Sequence, residues 1–228
     1  MKKCGAVIVA AGKGTRMGAN VKKQFIKLNG IEILARTVSK FENSVYIGQI
    51  ILAVPDEDVE YCGGMAEKYG WKKTTICRGG RERQDSVYNG VKELDGDTDI
   101  VLIHDGVRPF VNEKDILSVI EGVEKTGACA LAVPVKDTVK VCSNENIVLE
   151  TPNRDSLWAM QTPQGFNYKL IKEAYEKLPH GFAATDDAMV MEFAGHKVYV
   201  TMGSYRNIKI TTPDDILFGE SILKGETE

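Results

Sequence analysis

The sequence predicts an α/β fold: a mainly parallel sheet with helices on both faces and a projecting β-hairpin. Three observations carry this expectation. Short β-branched runs alternate with segments of helical period, as βα units do. The first run breaks directly into a glycine-spaced turn, the position at which open α/β sheets place ligands. After Val133 the rhythm stops and two alternating runs flank the turn signal Ser143-Asn144-Glu145-Asn146.

The elements follow in order. Strands are expected near 5–11, 48–54, 73–77, 99–104 and 128–133. Between them, a helix over 32–41 puts Ile33, Leu34, Thr37, Val38 and Phe41 on one face, and a second spans 56–69. A third begins near Arg83 with Val87, Val91 and Leu94 inward. The fourth covers 113–125 with Ile116, Leu117, Ile120 and Val123 inward. Residues 134–156 form the hairpin, which has too few large apolar side chains to fold alone and should lean on its own domain or on a partner subunit. Helices near 167–178, 185–194 and 213–224 and short strands near 197–201 and 207–211 complete the chain. The whole is expected to be one domain, 1–228, with the hairpin as an arm; no internal repeat or low-complexity linker interrupts it.

Composition narrows the function. A chain of 228 residues with 43% hydrophobic content can bury a full core. A net charge of −3 offers no global field to recruit nucleic acid or an acidic membrane, so basic residues must act locally and partners should be small molecules. Five separated cysteines without a CxxC pair point to reduced thiols in the cytoplasm, not to a disulfide framework or structural zinc. Three histidines without HExxH spacing argue against a dedicated metal cage of protein ligands. The run from Ala6 to Ala11 is too short to span a membrane.

Four polar clusters are expected at strand ends. The first is VIVAAGKGTRMGANVKK, from Val7 to Lys23, which reads as a phosphate cradle. Gly12 and Gly14 let backbone N–H groups approach an anion, and Lys13, Arg16, Lys22 and Lys23 surround the turn. It is not a Walker loop, because Gly12-Lys13 is followed by Gly14. Nor is it a dinucleotide fingerprint, because the spacing is GxGxxxG. The second cluster is GGRERQDSV, residues 79–87. Here Gly80, Arg83 and Ser86 could meet a nucleotide base, or the segment could simply be a charged helix cap. The third is HDGVRP, residues 104–109, where Asp105 could hold a hydroxyl or a magnesium-bound water and Arg108 a phosphate, unless the two pair with each other. The fourth is scattered: Arg154, Thr162 in QTPQGF, Thr185 in ATDDA and Lys209 in NIKIT.

Taken in order, AAGKGTRM, KKQF, GGRERQDSV, HDGVRPF, VPVKDTVK, NRDSLWAMQTPQGF, TDDA and NIKITTPDD closely resemble the 2-C-methyl-D-erythritol 4-phosphate cytidylyltransferase family over nearly the whole chain. One departure is that Lys22 stands where the family often has proline, which bears on the stiffness of the loop and not on the charge of Lys23. The resemblance implies a Rossmann-like nucleotidyltransferase sheet. The reaction it implies is transfer of CMP from CTP to 2-C-methyl-D-erythritol 4-phosphate, with Mg2+ present and pyrophosphate released, in the non-mevalonate route to isoprenoid precursors. It implies catalytic roles for Arg16, Lys23, Arg154 and Lys209, and CTP contacts from Ala10, Ala11, Gly12, Gly14, Arg16, Lys23, Gly80, Arg83 and Ser86. Asp105, Arg108, Thr138, Arg154, Thr162, Thr185 and Lys209 would hold the methylerythritol phosphate. It also implies a homodimer in which the hairpin, bearing Thr138 and Arg154, completes the partner's site.

Two rival readings use many of the same residues. A ribitol 5-phosphate cytidylyltransferase would share the nucleotide half, although AAG in the first turn, QDSV and NRDSLWAMQTPQ favour methylerythritol phosphate. A non-catalytic CTP-sensing module would have no use for the full set Arg16, Lys23, Arg154 and Lys209.

Overall fold

The computed structural model describes residues 2–12 and 22–225, and Lys13, Gly14 and Arg16 of the expected phosphate cradle therefore lie outside the described residues. The first strand, β1 (Cys4–Val9), is buried along its whole length, and leads to β2 (Lys27–Leu28) and β3 (Ile31–Glu32), a two-stranded ribbon absent from the sequence expectation. Helix α1 (Ile33–Glu42) turns the chain back to β4 (Gln49–Val54). A 3-10 turn at Asp56–Asp58 then precedes α2 (Val59–Tyr69), where the sequence pattern suggests one continuous helix. The next elements are β5 (Thr74–Arg78), α3 (Arg83–Lys92), β6 (Ile100–Asp105), α4 (Glu113–Thr126) and β7 (Ala128–Pro134).

The arm is shorter than its alternation suggests, pairing only at β8 (Val141–Cys142) and β9 (Val148–Glu150). After it comes β10 (Trp158–Asn167), a ten-residue strand that the sequence reading leaves without an element. Its Pro163, Gly165 and run of amide side chains have low strand propensity, yet tertiary pairing on both sides holds it. Helices α5 (Tyr168–Glu176) and α6 (Asp187–Phe193), strand β11 (Tyr199–Met202) and helix α7 (Pro213–Lys224) end the chain. The strand expected at 207–211 does not form. That stretch makes a main-chain bond from Ile210 N–H to Val107 O (2.9 Å) instead of a ladder.

The seven-stranded sheet has the order β11-β7-β10-β6-β1-β4-β5. All pairings are parallel except those of β10, which runs antiparallel to both β6 and β7. Period-two alternation sends Ala6, Ile8, Ile50 and Leu52 to one face, where α1, α2 and α4 cover them with Leu34, Val38, Phe41, Met65, Ile116 and Val119. It sends Val7, Ile51, Val101 and Ile103 to the other, under Val87 and Val91 of α3, Ile171 of α5 and Met191 of α6. Both faces are covered over the central strands β1, β4, β6 and β7, while the edge strands β5 and β11 are partly exposed. A third cluster, with Leu28, Ile33, Val107, Phe110 and Ile210, seats α7 beside the end of the sheet.

Candidate active site

The carboxyl ends of β1 and β6 open onto a cleft with two lobes. The first, of ≈ 330 Å³, is lined by Ala10 to Gly12, Lys23, Gln24 and Arg81 to Arg83, among others. The second, of ≈ 300 Å³, is lined by Arg108, Thr162, Gln164, Thr185 and Asp186, among others. Arg83, Asp105 and Lys209 line both, so they stand between two adjoining spaces.

Asp105 ends the buried strand β6 and is the centre of this boundary. Its carboxylate lies 3.0 Å from Lys209 Nζ, and 3.4 Å from the Nε of both Arg83 and Arg108. Desolvation would raise its pKa, but the charges of Arg83, Lys209 and Arg108 win and hold it well below the usual carboxylate range. Three cations converge on one carboxylate, which leaves an excess of positive charge facing the cleft.

Each cation is placed by groups outside the cleft. Arg83, at the start of α3, donates from Nη1 and Nη2 to the two carboxylate oxygens of Asp187 (3.0 and 2.7 Å), and the hydroxyl of Tyr175 donates to the same carboxylate at 2.6 Å. Burial alone would lower the guanidinium pKa, but Asp187 and Asp105 together raise it. Asp187 is fully buried, and its own N–H and that of Ala188 bond to Gln164 Oε1, both at 3.0 Å. Arg108 donates to Asn207 O at 2.8 Å, while the buried Asn207 side chain donates to Thr162 O at 2.9 Å. Asn207 thereby ties the segment carrying Lys209 to β10.

Behind Asp105, a directed chain of hydrogen bonds sets the strand end. Asp105 N–H donates to Thr162 Oγ1 (3.1 Å), which lies 3.0 Å from His104 Nδ1, and His104 Nε2 lies 3.0 Å from Arg108 O. A carbonyl only accepts, so Nε2 carries the proton, and in a ring that burial keeps neutral Nδ1 then accepts from the threonine hydroxyl. That burial lowers the His104 pKa to about 4.

The first lobe owes its shape to glycine. A Cβ on Gly79 would lie 2.8 Å from Ala11 Cβ and 2.9 Å from Ser86 Oγ, so a side chain there would push the 79–80 turn off the end of β1. Ser86 is fully buried; it accepts from Gly80 N–H (2.9 Å) and donates to Glu82 O (3.0 Å). Ser86 thus shapes the turn from within, while Glu82 and Asp85 form a capping box at the start of α3.

Of the residues expected from sequence, Ala10, Ala11, Gly12, Lys23, Arg83, Asp105, Arg108, Thr162, Thr185 and Lys209 line the two lobes. Gly80 and Ser86 sit behind the first. Gly14 and Arg16 lie outside the described residues. Thr138 and Arg154 are exposed on the arm and line neither lobe of their own chain; Arg154 donates to Lys136 O at 3.0 Å. The sequence reading assigns no role to Asp187, Tyr175, Gln164, Asn207 or Gln24. Asp187, Gln164, Asn207 and Gln24 fall inside the quoted motifs TDDA, QTPQGF, NIKITTPDD and KKQF, which is the signal that marks them.

Comparison with known proteins agrees over the same span. Residues 4–225 match the family model described as 2-C-methyl-D-erythritol 4-phosphate cytidylyltransferase. A protein of that name from Alkaliphilus oremlandii is 48% identical over 231 residues, covering 100% of this chain and 98% of the relative. Another from Halalkalibacterium halodurans is 49% identical over 219 residues, covering 95% of each. Among solved structures, 4-diphosphocytidyl-2C-methyl-D-erythritol synthase from Anaerococcus prevotii superposes with a TM-score of 0.87 at 38% identity, covering 98% of this chain and 96% of that one. The cytidylyltransferase from Thermus thermophilus does so with a TM-score of 0.78 at 26% identity, covering 98% and 100%.

Proposed function

The chain belongs to the 2-C-methyl-D-erythritol 4-phosphate cytidylyltransferase family, and from that premise we propose how its cleft performs the reaction. It transfers CMP from CTP to the phosphate of 2-C-methyl-D-erythritol 4-phosphate, giving 4-CDP-2-C-methyl-D-erythritol and pyrophosphate, a step in isoprenoid biosynthesis. CTP occupies the lobe of Ala10 to Gly12, Lys23 and Arg83, and the polyol phosphate the lobe of Arg108, Thr162 and Thr185. The observation that carries this reading is the row Arg83, Asp105 and Lys209, shared by both lobes: a boundary rich in cations suits a junction between two phosphates.

In the chemical step an oxygen of the acceptor phosphate forms a bond to the α-phosphorus of CTP. The bond from that phosphorus to the bridging oxygen breaks, and its electron pair leaves with pyrophosphate. The attacking phosphate needs no general base, because a phosphate monoester with a second pKa of about 6 is already ionised near neutrality. The protein's task is to hold two polyanions in line against their repulsion. Lys209 and Arg108 aim the acceptor phosphate. Lys23, with Arg16 seven residues before it in the sequence, takes the charge that grows on the α-phosphate and the leaving group. Asp105 keeps the boundary cations together until phosphates replace it as their partner.

Mg2+ fits this donor set as a companion of CTP. Among the described residues no group of three His, Cys, Asp or Glu could hold a metal, and Asp105 is a buried carboxylate shared by both lobes. Such a site suits an ion held mainly by triphosphate oxygens and waters, with Asp105 as its protein ligand or water acceptor. When bound, it supplies charge neutralisation on the phosphates.

Thr138 and Arg154 act in the partner's cleft of a homodimer joined through the 134–156 arm. Their exposure away from their own cleft supports this, as do the exposed apolar side chains of Val141, Ile147, Val148 and Leu149 on the same arm. Free Cys4, Cys62, Cys77, Cys129 and Cys142 accord with the cytoplasm, and no described helix is long and apolar enough to cross a membrane.

The test follows pyrophosphate with CTP, Mg2+ and each acceptor in turn. Turnover is expected with methylerythritol phosphate, and Lys23→Ala should reduce it on the order of 10²-fold. Faster turnover with ribitol 5-phosphate would reassign the acceptor. CTP binding without pyrophosphate release would make the protein a sensor.

A further inference from the structure

Lys23 stands in a 3-10 turn, Lys23–Phe25, directly before the β2–β3 ribbon. A single turn of this kind has little intrinsic rigidity. Its neighbours are tied down one by one. The Gln24 side chain is buried and donates from Nε2 to Ala10 O (3.1 Å), which fixes the turn to the end of β1. The Phe25 ring meets Tyr61 of α2 edge-on, with centroids 4.7 Å apart. Lys22 is tied most firmly. Its ammonium donates to both carboxylate oxygens of Asp58 at 2.8 Å and to Glu57 Oε1 at 2.9 Å.

This ion pair differs from the ordinary surface kind. The Asp58 side chain is 9% exposed and that of Lys22 32%, so solvent screens the contact only in part. It joins points 36 residues apart in the chain, connecting the turn to the 3-10 segment after β4. Lys22 also caps the turn through its main chain, since Phe25 N–H donates to Lys22 O at 2.9 Å. With its backbone extended (φ −59°, ψ 136°) and its side chain clamped, Lys22 sets the direction in which the turn leaves. Lys23, between the tied neighbours, lines the first lobe.

We propose that Lys22 is a positioning residue of the reaction: clamped on Asp58, it fixes the turn that aims the Lys23 ammonium at the triphosphate. This rests on the assignment of Lys23 to the phosphates of CTP, so Lys23→Ala is measured alongside. Lys22→Ala and Asp58→Asn should each lower kcat/KM for CTP about tenfold, less than the loss reserved for a misplaced reacting group. The KM for the acceptor should stay within about twofold. Lys22→Arg should retain most activity, because a guanidinium also pairs with a carboxylate. The charge exchange Lys22→Asp with Asp58→Lys should recover most of what either single change loses.

Each outcome decides. If Lys23→Ala loses turnover while Lys22→Ala and Asp58→Asn remain within twofold of the parent, the positioning role is wrong and the role of Lys23 stands. If Lys23→Ala is itself near normal, the role of Lys23 fails and that of Lys22 with it. If the Lys22 and Asp58 variants lose activity only in proportion to a fall in folded fraction by circular dichroism, and neither Lys22→Arg nor the exchange restores it, the pair is merely structural and the proposal is overturned.

Discussion

Residue by residue, the cleft is organised by a small number of buried polar groups. Asp105 gathers three cations, Asp187 orients one of them, and His104 holds the strand end beneath. His104 has a pH consequence whose sign is fixed by its surroundings. Its pKa falls from 6.5 to about 4 on folding, so between those values the unfolded chain binds the proton and the folded chain does not. Stability is therefore full above pH 6.5 and declines as pH falls toward 4. His104→Gln should flatten the dependence of Tm on pH across this window; an unchanged slope would assign it to another group. Asp105 acts lower on the scale. Its depressed pKa contributes stability that is present above about pH 4 and lost as pH falls through its folded value.

At the scale of elements, β10 is the strand that makes the second lobe. It lies between β6 and β7, antiparallel to both, and its register with β7 shifts between Met160 and Gln164. The irregularity interrupts pairing where Gln161, Thr162 and Gln164 line the cleft, a common use of a bulge beside a site. Pro163 falls inside the irregular stretch, which is where a central strand tolerates it. Two residues later, at Gly165, the strand is tightly covered. A Cβ on Gly165 would lie 2.5 Å from Val119 Cγ1 of α4 and 2.8 Å from Leu102 Cδ2 and Val123 Cγ2. Gly165→Ala should cost about 1–3 kcal/mol of stability by overpacking. The measurement is denaturant unfolding, and an unaltered midpoint would mean that α4 yields more easily than its packing implies.

The arm adds no side chain to the buried core clusters. Two short strands leave Val141, Val148 and Leu149 between 43% and 66% exposed, whereas the central strands β1 and β6 are buried along their whole length. Leu149→Asp should shift the protein to monomer by sedimentation at micromolar concentration and lower turnover by at least tenfold, because a charge buried at an apolar interface is strongly unfavourable. A fully active monomer would remove the case for a shared site.

In the whole molecule, charge is drawn to the cleft from remote parts of the chain. Lys23 starts a 3-10 turn, Arg83 starts a helix, Arg108 follows β6, the fourth parallel strand from the amino end, and Lys209 comes after the last strand. They border one cleft although the chain is net acidic at −3. A two-subunit experiment tests the larger arrangement. Mixing Lys23→Ala subunits with Arg154→Ala subunits should restore part of the activity if each cleft takes Arg154 from its partner, because one cleft of the mixed dimer is then intact. No recovery would mean that each cleft is complete within one chain.

The sequence alone determined the alternation of strand and helix, the apolar stripes and the strand-end motifs, because these are local periodicities and spacings that each segment carries in itself. It marked Lys23, Arg83, Asp105, Arg108 and Lys209 by type and place, and the ordered motifs named the family. Only the tertiary structure decided that β10 is an internal strand, that 207–211 is not a strand, and that Ser86 faces inward while Asp187 grips Arg83. Those outcomes depend on partners tens of residues away: two neighbouring strands outweigh the weak propensity of Pro163 and Gly165, and Asn207 reaches Thr162 across 45 residues. Local sequence carries propensity and pattern, but a buried charge or amide takes its orientation from whichever remote group satisfies it.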